Sequence, residues 1–183
     1  RLFYIFSELE RHLILTRHYL WQHKLDYTLN YSFTTAQEIM QGILAGKIDH
    51  AVLGEPFLNI ALRKDSTLNI LADLNRPDSA SSGFAQTAIL YAPTLEKNRK
   101  TIDSLLTLSC RFAVEQPELA IQILEKENIF VPGMLTPESI KRCKIDYKTA
   151  SEAQENILRF LQLIKQYEPK ALGGKMPDEK FYK

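Results

Sequence analysis

Apolar and polar positions alternate between two periods along the first half of this chain. Leu2 to Phe6 is a continuous apolar run, the pattern of a strand buried on both faces. Ser7-Glu8-Leu9-Glu10 follows as a capping box, in which the Ser hydroxyl accepts from a free N–H and Glu10 reaches back. The spacing predicts a helix from there to about His23, with Leu9, Leu13, Leu20 and Trp21 turned inward. Tyr27, Leu29 and Tyr31 alternate with Asp26, Thr28 and Asn30, the signature of a strand with one wetter face. A second capping box, Thr35-Ala36-Gln37-Glu38, opens a helix carrying Ile39, Met40, Ile43 and Leu44, and Gly46 stops it where positive φ is wanted. Strands are expected at Asp49–Leu53 and Leu68–Leu74, with a helix between them from Pro56 to about Arg63 or Lys64.

This alternation predicts an α/β fold with a mostly parallel sheet and helices on its faces. The polar segment Asn75 to Gly83 breaks the rhythm as a loop, and Gln86 to Tyr91 is expected as a returning strand ended by Pro93. Helices dominate after that. Leu105, Leu106, Leu108, Phe112 and Ala113 mark one, Pro117 to Leu124 another, and Thr136-Pro137-Glu138 starts a short one. A longer helix covers about Ser151 to Tyr167, and the tail from Gly173 is loop-like.

Length and charge narrow the classes. With 183 residues, 45% of them hydrophobic, the chain can bury a core of its own. The 23 basic and 22 acidic side chains nearly cancel, so nothing electrostatic points to nucleic acid. No apolar run reaches the roughly 20 residues of a membrane helix. The two cysteines, Cys110 and Cys143, lack metal-ligand spacing; they form either one disulfide or two unpaired core thiols. The chain opens on Arg1 and runs straight into an apolar strand, which reads as a fragment or a processed chain without its targeting segment.

Catalytic signals are weak. His12, His18, His23 and His50 include no zinc-type i, i+4 pair, and three of them share a helix with Arg11 and Arg17, as surface residues would. There is neither a glycine-rich phosphate loop nor a G-x-S-x-G elbow. No cofactor is expected, and the chain reads as a binding protein rather than an enzyme. Helix starts at Ser7, Thr35 and Pro56 would face the carboxyl edge of a parallel sheet, where open α/β sheets take ligands. Gly54-Glu55-Pro56 sits at that edge, a small turn carrying one carboxylate.

The stretch Gln41-Gly42-Ile43-Leu44-Ala45-Gly46-Lys47-Ile48-Asp49-His50-Ala51-Val52-Leu53-Gly54-Glu55-Pro56-Phe57 resembles a signature of solute-binding proteins. Their importers take nitrate, sulfonate, taurine and thiamine precursors, and they commonly read aLlaGkiDaavlpEPf here. Leu71-Ala72-Asp73-Leu74, Gln86 to Ala92, Glu115 to Ala120 and Pro177 to Tyr182 resemble further segments of that family in order. The resemblance implies the type II periplasmic-binding fold: two α/β lobes closing on a small molecule, outside the cytoplasmic membrane or anchored to it. The partners it implies are a membrane permease and an ATPase. Residues 1–83 would then be the second lobe. Residues 84–183 would be the return strand and the helices that pack on a first lobe mostly missing here, leaving apolar faces for a homo-oligomer, a swapped arrangement or a second chain.

The residues expected to bind ligand are Ser7, Thr35, Gly54 and Glu55, with Ser81, Ser82 and Gln86 from the hinge side. Glu8, where the family often has glycine beside Ser or Thr, would repel an anion and favours a neutral or cationic heterocycle. Two other functions share this plan. Pyrimidine-precursor synthases and menaquinone-pathway enzymes resemble the fold, although the synthases' cysteine-rich motif is not found. Effector-sensing domains of transcription regulators resemble it as well.

Overall fold

The structure, a computed structural model, describes residues 2–4, 11–75, 83–85 and 87–182. Strand β1 (Leu2–Tyr4) and strand β2 (Thr28–Asn30) pair in parallel, with Leu2 opposite Thr28, Phe3 opposite Leu29 and Tyr4 opposite Asn30. A parallel pair needs a crossover, and helix α1 (Arg11–Gln22) supplies it. The expected capping box at Ser7 to Glu10 lies outside the described residues.

Leu13, Ile14, Leu15 and Thr16 are all buried on α1. At 100° per residue, four successive positions cover most of the circumference, so the middle of this helix is enclosed rather than laid on a surface. The Thr16 hydroxyl donates to the His12 carbonyl at 2.6 Å, which satisfies it inside the core. Leu20 is buried as expected, but Trp21 is 63% exposed, a correction to the sequence reading. It lies one position beyond the buried stripe and stacks near His18 instead, with ring centroids 6.3 Å apart.

Helix α2 (Ala36–Leu44) begins and ends as its sequence dictates. The Thr35 hydroxyl accepts from the Glu38 N–H at 3.1 Å, and the Glu38 carboxylate accepts from the Thr35 N–H at 3.1 Å. At the other end Gly46 adopts φ +64°. The Lys47 N–H donates to the Gly42 carbonyl and the Gly46 N–H to the Ile43 carbonyl, the paired bonds of a Schellman stop. Helix α3 (Phe57–Lys64) follows, with a cis Glu55–Pro56 bond just before it.

Three expected strands do not form as such. Asp49–Leu53 keeps a single bridge residue at Ala51, and the described parts of Leu68–Leu74 and Gln86–Tyr91 run without a ladder. Among the described residues the sheet is the β1–β2 pair alone. An apolar run becomes a strand only when a neighbour accepts its hydrogen bonds. Here Ile70, Leu71, Ile89 and Leu90 stay exposed.

After a 3-10 turn at Pro93–Asn98 come α4 (Arg99–Glu115), α5 (Pro117–Lys126), α6 (Pro137–Cys143) and α7 (Gln154–Tyr167). Short 3-10 turns at Pro169–Leu172 and Glu179–Tyr182 complete the chain's described elements. One core joins α1 to α7 through Ile14, Leu15, Phe84 and Leu163, flanked by Leu74, Phe160, Ile164 and Tyr167. A second gathers Ile121, Leu135 and Ile140 of the α5–α6 region, with Leu124, Phe130 and Ile145. The helices after residue 84 therefore divide. Helix α7 packs on α1, whereas α4 has no buried residue along its 17 positions.

Candidate functional site

The turn between the 49–53 segment and α3 is held by side-chain bonds to near and distant residues. Glu55 stands just before α3, and its carboxylate accepts from the Asn59 N–H at 3.0 Å, covering a donor that helix geometry leaves unpaired. Its other oxygen accepts from Arg142 Nε at 2.6 Å. This ion pair is mostly withdrawn from water, with the Glu55 side chain 11% exposed and that of Arg142 28%.

Asn59 is the hub beside it. Its Nδ2 donates to the Met134 carbonyl at 3.0 Å, and its Oδ1 accepts from the Thr136 hydroxyl at 2.9 Å and from Arg142 at 3.3 Å. With both lone pairs of Oδ1 used, a side chain only 4% exposed is well satisfied. Thr136 in turn caps α6, accepting from the Ser139 N–H at 3.2 Å. Further along α3, Arg63 donates to the Gly133 carbonyl at 2.7 Å. An ion pair between Lys144 and Asp73 lies beyond α6. Helices α3 and α6 are thus joined by charge and amide bonds.

Gly54, at the start of this turn, lies against α1. A Cβ added there would sit 3.6 Å from His12 Nε2, ordinary contact distance, so the approach is close without demanding glycine on steric grounds. His12 and His18 are half-buried on α1, although their spacing with Arg11 and Arg17 suggests surface positions. The His18 Nδ1 lies 3.5 Å from the Tyr167 hydroxyl of α7.

Gly54 and Glu55 are therefore neighbours at the α1–α3 junction. Thr35 stands at the start of α2, which packs on α3. Its cap carries a concentrated set of bonds: Glu38 also accepts from the Thr34 N–H and hydroxyl, both at 2.8 Å. These bonds, the main-chain one from Thr34 first, hold the Glu38 carboxyl below the usual carboxylate range. Ser7, Ser81, Ser82, Gln86 and Glu8 lie outside the described residues.

Sequence reasoning did not find Arg142, Asn59 or His12 as members of this region. Arg142 is 87 positions from Glu55, and no local pattern announces such a pair. Two shallow concavities lie elsewhere: one of about 470 Å³ along α7 by Glu152, Glu155 and Arg159, another of about 240 Å³ between α4 and Ile145–Tyr147. Among the described residues no cluster of His, Cys, Asp and Glu could hold a metal ion. Neither cysteine is in a disulfide, and burial pushes both thiols up, that of Cys143 with help from the Glu55 charge. Among the described residues no helix is long and apolar enough to cross a membrane.

The chain is similar to a crystal structure of an ABC transporter from Parabacteroides distasonis. The two chains are 54% identical and superpose with a TM-score of 0.94 over 99% of the present one. This chain is related to an ABC-transporter protein. It spans 65% of the Parabacteroides chain's length, so about a third of that ABC-transporter protein has no counterpart here. No protein-family profile and no curated protein sequence matches the chain.

Proposed function

We propose that this chain is the solute-binding component of an ABC importer of the nitrate, sulfonate, taurine and thiamine-precursor type, working outside the cytoplasmic membrane. It would capture a small polar molecule and deliver it to a membrane permease driven by an ATPase. The observation that carries this reading is the 54% identity to the Parabacteroides ABC-transporter protein over nearly the whole chain. Two features narrow the role within such a system. No described helix suits a permease, and the chain contains no glycine-rich phosphate loop of the kind an ATPase uses.

In this reading Thr35, Gly54 and Glu55 line one wall of a cleft, with Ser7, Ser81, Ser82 and Gln86 completing it. Arg142 sets the charge of that wall. With the carboxylate of Glu55 matched by a guanidinium at 2.6 Å, the turn offers a compensated, polar surface to a neutral heterocycle. Ligand preference for the closed form would drive the transition.

The test is a thermal-shift screen against pyrimidines, sulfonates, nitrate and amino acids, followed by titration calorimetry on the best hit. Glu55→Gln keeps the shape of the turn and should weaken that hit about tenfold. Unchanged affinity would remove Glu55 from the cleft wall.

A further inference from the structure

Three residues around the 54–56 turn close a ring of hydrogen bonds. One oxygen of Glu55 accepts from Arg142 Nε at 2.6 Å, and Arg142 Nη2 donates to Asn59 Oδ1 at 3.3 Å. The Asn59 N–H then donates to the other Glu55 oxygen at 3.0 Å. A carboxylate held at one oxygen can swing about its last torsion, which has broad wells. Held at both oxygens, Glu55 keeps one plane and one aim.

The ring is itself held from outside, by the start of α6. The Thr136 hydroxyl accepts from the Ser139 N–H at 3.2 Å, which leaves its own proton to donate to Asn59 Oδ1 at 2.9 Å. The Asn59 amide has a single workable orientation. Arg142 cannot accept, and the Met134 carbonyl, 3.0 Å from Nδ2, cannot donate, so Oδ1 must face Arg142. Asn59 is 4% exposed, so water does not stand in for a lost partner.

We infer that Asn59 is a positioning residue: it aims the Glu55 carboxylate through Arg142, and Thr136 ties that aim to the start of α6. The cap of α6, 77 positions along the chain from Asn59, thereby sets where the charged group of the turn stands. What the turn binds rests on the solute-binding reading. The positioning does not, and it is measured without any solute, so either can fail alone.

The probe is the Arg142 Nε proton, whose exchange with water, read by NMR, reports directly on the bond to Glu55. Thr136→Val keeps the branched shape, removes the hydroxyl and should speed this exchange about tenfold. Thr136→Ser keeps the hydroxyl and should restore the wild-type rate. Ser139→Ala weakens the same cap, since the Ser139 hydroxyl accepts from the Thr136 N–H at 2.9 Å and donates to the Thr136 carbonyl at 2.7 Å, but it leaves the bond to Asn59 intact. It should lower Tm and leave the Nε proton as it was. Asn59→Leu should speed exchange at least as much as Thr136→Val. Adding Thr136→Val to it should then change nothing further, because Thr136 acts through Asn59. Four results would overturn the inference. They are unchanged Nε exchange in Thr136→Val, no recovery in Thr136→Ser, equal acceleration in Ser139→Ala and Thr136→Val, and full additivity in the double variant.

Discussion

Replacing Arg142 with methionine would leave the Glu55 carboxylate in place with one of its two charged or amide partners gone. Glu55 is 11% exposed, so water reaches it poorly, and only the Asn59 N–H at 3.0 Å would still support its charge. Breaking a fully buried pair costs about 3–5 kcal/mol, and leaving a lone polar group about 1–3. The partial exposure of Arg142 puts Arg142→Met between these, at about 2–4 kcal/mol. In a chain of 183 residues, that corresponds to a fall in Tm of about 4–16 °C.

Glu55→Gln should cost less, about 1 kcal/mol, because the amide oxygen still accepts from Arg142. The double variant should fall short of the sum by about 1–3 kcal/mol, the coupling that a shared contact produces. Melting followed by circular dichroism, with urea unfolding as a second probe, measures all three. A drop under 1 °C for Arg142→Met, or full additivity in the double variant, would show that water screens the pair and that α3 and α6 are held by something else.

Other consequences follow from single residues. Gly46→Ala places a Cβ at φ +64° with open space around it, so the loss is conformational, about 1 kcal/mol in urea unfolding, with Gly46→Asn milder. Thr35→Ala removes the cap of α2 and should cost about 1 kcal/mol, read the same way. The Glu38 carboxyl titrates below its ordinary value in the folded chain. Its contribution is therefore present above the unfolded value and lost as pH falls through the folded one. Glu38→Gln should flatten the acid side of the stability–pH curve accordingly. Cys110 and Cys143 should both titrate with a thiol reagent in the denatured, unreduced chain, and react slowly when folded because burial raises both thiols.

The helices of this fold were legible where their signals are local. Thr35 with Glu38, Gly46 and the Pro117 and Thr136-Pro137 starts each lie within a few residues of the bond they make, and all appear at the expected places. The strands were less so. Leu2–Tyr4 and Thr28–Asn30 found each other, but Leu68–Leu74 and Thr87–Tyr91 show that an apolar run states a capacity to pair and says nothing of whether a neighbour exists. Trp21 was misplaced because one residue on a helix turns the side chain by 100°.

Within the candidate site, Gly54-Glu55-Pro56 stood out from its order in the chain. What Glu55 touches did not. Arg142, Asn59 and Met134 reach it or each other across 75 to 87 positions, and only tertiary packing brings them together. Asn59, in the first turn of a short helix with nothing to mark it, holds more of these bonds than any residue the pattern singled out.

Ligand binding by the chain, alone and joined to the additional third of the Parabacteroides protein, is the most direct measurement of what it does. Thermal melting against small polar solutes should show one class raising Tm. At one hundred times its Kd, a ligand stabilises by about 2.7 kcal/mol, which is about 5–11 °C for a chain of this size. That ligand should lose affinity in Glu55→Gln. A full panel that leaves Tm unmoved in both formats would contradict the solute-binding account.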